Sequence, residues 1–335
     1  MKRFGIVGAG IRGRLFADVL RDRGDVVVAG FADPNPAAQG RVADIPVFTT
    51  HQELYDRGDL DAVIVATPDF GHREPVVHAA ACGLDMLIEK PLATTVADGE
   101  AMAEAITAAG VGAIVGFENR WNPAFVRIRE QLTAADGVGA PVWQHAELSN
   151  STFVPLEMLS WAAESSPAWF LMPHTVDVVS WMAESPVASV YATGSRGLLA
   201  ARGVDTWDAV QAVLRFRNGS SASLTSSWVL PDSAPAIVRF TYDLNGQTGA
   251  LRADIIDSNL HVTTDKARTV GLLSGRLGGK LIGAPAWMVN DFVTAVQTQT
   301  FDGPGLTQGL HVTRVIAAIE ESLGSDRVVP VPPNE

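Results

Sequence analysis

Residues 3–13 read RFGIVGAGIRG, an apolar run that passes straight into the glycine turn Gly8-Ala9-Gly10-Ile11-Arg12-Gly13. Continuous rather than alternating polarity marks a strand covered on both faces. The glycines then have separate physical tasks. Gly8 permits a tight turn, Gly10 lets a pyrophosphate approach the backbone, and Gly13 allows a helix to pack closely on the strand. The first turn of that helix offers amide donors and a partial positive charge. The next apolar stretch, VVVAGFADP over 26–34, ends in Asp33. This acid lies about twenty residues beyond Gly13, where it can accept hydrogen bonds from an adenosine ribose. Strand, turn, helix, second strand and terminal acid together supply the context that a lone glycine pattern lacks. They predict a dinucleotide-binding unit. Because an acid at 33 repels a 2′-phosphate, NAD is expected and NADP less so. Arg12 is the neighbour that could offset the repulsion. Ile11 and Arg12 join Gly8, Gly10, Gly13 and Asp33 as expected cofactor contacts.

Outward from this turn, DAVIVAT (61–67), DMLIE (85–89) and GAIVG (112–116) are further continuous apolar runs separated by helical patterns. The segment 95–109 predicts a helix, with Thr95 as cap and Gly110 as stop. This is βαβ architecture around a parallel sheet. Beyond Gly116 the polarity alternates, as in AVQAVLRFRNGSSASLTSSWVL over 209–230, whose Asn218-Gly219 fits a hairpin turn. Two helical stretches follow near 286–299 and 306–323. The expected fold is α/β, with a dinucleotide-binding domain over residues 1–120 and an α+β domain over 121–335.

A formal net charge of −12 over 335 residues argues against nucleic acid and anionic membrane surfaces as partners. The single cysteine, Cys82, cannot form an internal disulfide and is expected to be a buried small hydrophobe. The start MKRFGIVGAG lacks the charged and apolar regions of a signal peptide, so a cytoplasmic protein is expected. No apolar run approaches the ~20 residues of a membrane helix. His72 and His78 lack the helical spacing of metal ligands, and no metal is expected.

In an open parallel sheet the ligand lies beyond the carboxyl ends of the strands, and VATP (65–68) and IEKP (88–91) occupy two such ends. Lys90 should therefore face the cofactor crevice. There its ammonium can donate a hydrogen bond to a substrate oxygen and favour the alkoxide-like charge that builds as a hydride leaves carbon. Glu89 could touch the nicotinamide ribose or hold the geometry of the lysine.

GIVGAGIRG, VIVATPDFGHREPVVHAAACGLDMLIEKPLA and VGFENRWNPAF, in that order, resemble the Gfo/Idh/MocA oxidoreductases, the group of glucose-fructose oxidoreductase and inositol dehydrogenase. The resemblance continues more loosely through DTWDAVQAVLRFRNGSSASLTSSW. It implies a Rossmann domain followed by a domain with a largely antiparallel open sheet. That second domain would form the substrate pocket and the interface of a homodimer or homotetramer. It also implies oxidation of a sugar or polyol hydroxyl, or reduction of the ketone, with NAD(P). Thr67, Pro68 and His72 match the second strand-end motif and are assigned to the cofactor, as is Glu89; Lys90 matches the EKP lysine. In SSPAWFLMPHTVDVV (165–179), His174 and Asp177 are in place, but Phe170 stands where the family has its first aspartate.

His174, with an ordinary pKa near ~6.5, suits the exchange of a hydroxyl proton, and Asp177, three residues on along a helix, could orient its ring. Lys90, His174 and Asp177 are the expected catalytic residues. Arg120 and Trp169 join Lys90 and His174 as expected contacts to a small carbohydrate-like substrate, with Asn119 beside Arg120 at the same strand end. Phe170 leaves two alternatives open. One is a non-catalytic NAD-binding sensor or partner subunit; the other is a reductase of a less polar ketone or imine. NAD(H) recycled without release, in an epimerisation or glycoside cleavage, fits the same residues.

Overall fold

The computed structural model describes residues 1–42, 44–255, 259–263, 267–271 and 275–333, excepting the side chains of 259–263 and 267–271. It divides into two compact units, Met1–Glu118 with Gly275–Thr313, and Asn119–Ser274 with Arg314–Glu335.

The first unit is built on six parallel strands, β1 (Lys2–Val7), β2 (Val26–Ala32), β3 (Val47–Phe48), β4 (Ala62–Val65), β5 (Asp85–Ile88) and β6 (Ala113–Val115). Their order is β3-β2-β1-β4-β5-β6. The order reverses between β1 and β4, which is the place where an open parallel sheet leaves a crevice at its carboxyl edge. Every residue of β4 and β5 is buried, the condition that their continuous apolar runs anticipate. Only β3 was not foreseen, because two residues are too short to show a period.

Helices α1 (Ile11–Arg23), α2 (His51–Tyr55), α3 (Arg73–Ala81) and α4 (Val96–Ala109) connect these strands. The expected caps of α4 are present: Thr95 Oγ1 accepts the Asp98 N–H at 3.1 Å, and Gly110 has φ of +67°. Cys82 does not follow its expectation. It sits at the C-cap of α3 and is exposed, because the helix turns its last residue outward before Gly83.

The helix Ala284–Thr298, which the sequence grouped with the second half, belongs to the first unit. Its apolar stripe of Met288, Val289, Phe292, Val293 and Val296 is buried, and Phe292 meets Phe4 of β1 edge-on with ring centroids 5.9 Å apart. An amphipathic pattern states that a face will be covered but not by what.

The second unit contains α5 (Pro123–Thr133), β7 (Pro141–Asn150), α6 (Pro167–Phe170), α7 (Met172–Ala183), β8 (Val187–Ser195), β9 (Ala209–Phe216), β10 (Ser221–Ser227), β11 (Val238–Gly246) and β12 (Ala250–Asp254). With the short strand Val329–Pro330, its strands form a seven-stranded sheet in the order β12-β11-β7-β10-β9-β8-Val329–Pro330. Its neighbours are antiparallel except for β7 and β10. The β9–β10 hairpin turns at Asn218-Gly219 as expected, with Gly219 at φ of +89°. One face packs under α7, where Gln144 donates to the Val179 carbonyl at 3.1 Å and accepts from the Tyr242 hydroxyl at 2.6 Å. Trp143, Tyr191 and Val213, from three strands of this sheet, are exposed. No helix among the described residues is long and apolar enough to cross a membrane.

Candidate active site

The glycine turn leaves β1 at the switch point and is held on both sides. Gly8 N–H donates to the Ala32 carbonyl at 2.8 Å, and its φ of +97° is a conformation that side chains resist. A Cβ on Gly13 would lie 1.9 Å from the Gly8 carbonyl oxygen, so only glycine lets α1 begin this close to the strand. A Cβ on Gly10 would meet nothing within 4 Å, which leaves an open cradle above the turn. No side chain caps α1 at Gly10, and its first-turn amides lack helical acceptors. Asp33 closes the cradle on the β2 side: Oδ2 accepts the Ala9 N–H at 2.8 Å and Oδ1 the Asn35 N–H at 2.9 Å. Each oxygen retains a further lone pair for a ribose hydroxyl. Thr67 Oγ1, at the end of β4, is buried with no hydrogen-bond partner among the described residues. Such a group is satisfied when a ligand supplies its partner. Ile11 is 56% exposed on the same turn. These residues fit a dinucleotide, with ribose at Asp33 and pyrophosphate at the start of α1.

Arg12 pairs with two acids. Its Nε lies 2.8 Å from Glu89 Oε1, and its Nη2 lies 2.7 Å from that oxygen and 2.5 Å from Glu118 Oε2. The other Glu89 oxygen accepts the Lys90 backbone N–H at 3.1 Å. Of the two sequence-based roles for Glu89, this geometry supplies the one that holds the lysine turn. Burial pushes the Lys90 ammonium below the ordinary lysine range, and Arg12 adds to this; Glu89, Asp69 and Glu118 pull the other way. His72, which the resemblance assigns to the cofactor, is 1% exposed. Its Nδ1–H points to the Pro91 and Leu92 carbonyls at 2.8 and 3.2 Å, so the ring braces the chain just after Lys90. Burial also lowers its proton affinity, opposed by Asp69, Glu89 and the two carbonyls, and Nε2 lies 3.3 Å from the Thr67 carbonyl. Pro68 opens the short turn Asp69–Gly71 that leads to this histidine.

In the second unit, Arg120 and Asp177 face each other. Arg120 Nε and Nη2 reach the two Asp177 oxygens at 3.0 and 2.7 Å, and the guanidinium lies over the Trp181 ring at 5.3 Å. The Asp177 side chain is 2% exposed. The sequence expectation had Asp177 orient His174 and Arg120 contact the substrate; the structure adds that the two form an ion pair with each other. Asn119 Nδ2 lies 3.3 Å from His174 Nδ1. Phe170 packs its ring against Trp161 and Trp228, with centroids 5.8 and 5.7 Å away. Trp169, half-buried in α6, donates its backbone N–H to Ser166 Oγ at 3.2 Å. Sequence reasoning missed Glu118. The strand-end rule that found Lys90 applies equally to the residues after β6 and could have found it.

A lysine turn tied to a nucleotide cradle at the switch point of a parallel sheet places the first unit in the class of NAD-binding oxidoreductases. The oxidoreductase family with NAD-binding Rossmann fold matches residues 2–117, and the GFO/IDH/MocA C-terminal domain matches residues 126–252. The chain belongs to the Gfo/Idh/MocA oxidoreductase family. It is 27% identical to the inositol 2-dehydrogenase of Acidothermus cellulolyticus over 352 residues, covering 99% of this chain and 96% of that protein. Among solved structures, scyllo-inositol dehydrogenase from Lactobacillus casei, with bound NAD(H) and scyllo-inositol, superposes with a TM-score of 0.84 at 18% identity, covering 99% of both chains. GenD2 from gentamicin A biosynthesis, in complex with NAD, gives 0.85 at 20% identity, covering 99% of this chain and 96% of that one. Both share the fold.

Proposed function

We propose that this chain transfers a hydride between NAD and a secondary alcohol, or its ketone, in a polyol- or sugar-like molecule. The observation that carries this reading is the Lys90 turn, anchored through Glu89 and Arg12 to the dinucleotide cradle. The action of the Acidothermus relative on inositol supports the substrate class. Residues 1–120, with Gly275–Thr313 in the same compact unit, would serve the cofactor, and the rest of 121–335 the substrate and the assembly of a homodimer or homotetramer.

The nicotinamide supplies a hydride acceptor or donor at its C4. Oxidation takes a hydride from carbon and a proton from oxygen, so negative charge builds on that oxygen as the C–H bond weakens. Lys90 donates a hydrogen bond to it and stabilises the charge most when the charge is largest. His174 takes the proton on Nε2 and returns it in the reverse direction. For Nε2 to be basic, Nδ1 must carry the hydrogen and needs an acceptor. A rotated Asn119 amide presents its oxygen there, and the two amide ends allow Asn119 to follow either tautomer. Asn119 would thus orient the ring from its Nδ1 side.

NAD is favoured over NADP because Asp33 repels a 2′-phosphate while the nearby cation, Arg12, is committed to Glu89 and Glu118. Asp33→Ser is expected to raise the ratio of NADP to NAD in kcat/KM at least about tenfold, the scale of removing one like-charge contact. An unchanged ratio would exclude Asp33 from the ribose site.

Phe170 favours a second reading. An apolar ring packed on Trp161 and Trp228, four residues before His174, replaces the carboxylate that the family pattern places there, and suits a less polar cyclic ketone or imine. NADH formation or consumption at 340 nm with inositols, aldoses, linear polyols, alicyclic alcohols and their ketones and imines separates the readings. The first expects kcat/KM for an inositol or sugar to exceed that for alicyclic compounds by about tenfold or more. The reverse order selects the second. Tight NADH binding with no turnover of any of these overturns both and leaves a sensor.

A further inference from the structure

Arg12 lies between the glycines that hold the nucleotide, yet its side chain runs to the far side of β1 and joins two acids that follow β5 and β6. Nucleotide binding by the turn requires only its backbone and glycines, so this side chain has another task. Three carboxylates stand around the lysine turn. Glu89 follows β5, Asp69 follows β4 and Glu118 follows β6, and the Glu89 side chain is only 6% exposed. Arg12 is the guanidinium that meets two of them, at 2.7 Å and 2.5 Å, and it is itself held over the Phe16 ring at 4.8 Å. Glu89 is gripped from both ends, by Arg12 on Oε1 and by the Lys90 backbone N–H on Oε2.

We propose that Arg12 is the positioning residue for Lys90: through Glu89 it joins the dinucleotide turn to the lysine turn, and it supplies the counter-charge that keeps Glu89 and Glu118 from drawing the Lys90 ammonium toward themselves. The proposal deepens the assigned role of Lys90 and rests on it. The charged and titratable groups facing Lys90 are Glu89, Asp69, Glu118 and Arg12, with His72 braced against Pro91. Loss of Arg12 removes the single cation of this set, so the ammonium gains stability and its titration moves to higher pH. Loss of a carboxylate has the opposite sign.

The test reads Lys90 with and without turnover. The chain has four lysines, Lys2, Lys90, Lys266 and Lys280, so 13C-dimethyl labels on the whole protein give a resolvable NMR set, with Lys90→Arg identifying its signal. Arg12→Met is expected to raise the Lys90 midpoint by roughly half a pH unit or more, and Glu118→Gln to lower it. In turnover, Arg12→Met should lower kcat about tenfold or more, while the Kd for NADH, read by fluorescence, stays within about threefold. Arg12→Lys restores the midpoint because it keeps the charge, but recovers only part of kcat because an ammonium lacks the planar fork that bridges two carboxylates. A Lys90 midpoint that stays put in both Arg12→Met and Glu118→Gln would overturn the proposal. So would a drop in thermal stability with midpoint and kcat preserved, which would make Arg12 an ordinary ion pair. If the wild-type protein binds NADH and turns over nothing, the hydride-transfer reading fails, while the NMR midpoints still decide whether Arg12 governs Lys90.

Discussion

Lys90→Ala should lose about a thousandfold or more in kcat while its Kd for NADH stays within about threefold of the wild type. The asymmetry follows from where the ammonium acts. A donor aimed at an oxygen that becomes alkoxide-like only as the hydride leaves contributes little to binding and much to the transition state; removal of one such donor commonly costs about a hundred- to a thousandfold. Loss of the cation that opposes Glu89 and Asp69 adds to this. Lys90→Arg should not rescue, because a guanidinium cannot occupy the place of an ammonium set by a half-buried turn. In the wild type, activity depends on the charged form and should fall as pH rises through the Lys90 pKa. Burial lowers that pKa, so the decline begins below the ordinary lysine range. Steady-state kinetics and an NADH fluorescence titration on the same preparations decide the matter. Equal turnover in Lys90→Ala would remove the lysine from the chemistry.

The second large effect is on stability and lies in the other unit. Arg120→Met should destabilise the protein by about 3–5 kcal/mol in urea unfolding, because it strands the Asp177 carboxylate in an interior where that side chain is 2% exposed. Arg120→Met with Asp177→Leu should recover most of the loss, since neither charge then remains to be desolvated. The pH dependence has a definite sign. Burial raises the folded-state pKa of Asp177 above its ordinary value, with Arg120 opposing; without Arg120 it rises further. A carboxyl that binds its proton more tightly when folded destabilises the protein above that pKa and ceases to do so as pH falls through it. The deficit of Arg120→Met should therefore be full at neutral pH and shrink on acidification toward the unfolded value near ~3.9. A variant of wild-type stability that has lost substrate affinity would reinstate Arg120 as a substrate contact.

A less polar substrate would reach the protein through Phe170, whose ring completes an apolar cluster with Trp161 and Trp228. Sequence alone names this residue as a departure from a pattern. The packing adds that its ring meets Trp161 and Trp228, an apolar setting in which a carboxylate would have demanded polar partners.

Legibility differed by the range of the interaction. The glycine turn, the caps of α4 and the Asn218-Gly219 hairpin were readable because each is a demand of the backbone on residues only a few positions apart. The strands were readable because a covered parallel sheet needs runs of apolar side chains. Lys90 was singled out by the same means, from a strand end and a rule about parallel sheets. What was not readable concerns groups whose surroundings come from distant parts of the chain. His72 was given to the cofactor by its motif, which says nothing of its contacts with the Pro91 and Leu92 carbonyls. Asp177 was given to His174 because three residues separate them, whereas Arg120 sits 57 positions away and takes the carboxylate. Cys82 was placed inside because its neighbours are alanines, yet the end of α3 turns it out.

The amino-acid sequence by itself determined the parallel dinucleotide-binding sheet, the turn that begins it, the preference for an acid at 33 and the lysine at a strand end. All of these follow from local backbone sterics, periodic burial and neighbouring residue types. Only the tertiary structure decided which polar groups pair: the charges of Arg12 with those of Glu89 and Glu118, 77 and 106 positions away, and the neutral amide of Asn119 with His174, 55 positions away. The physical reason is that a charge accepts any opposite charge that comes within a few ångströms. Which one arrives depends on the order of strands in the sheet and the facing of helices, properties of the whole packed chain that no short stretch encodes.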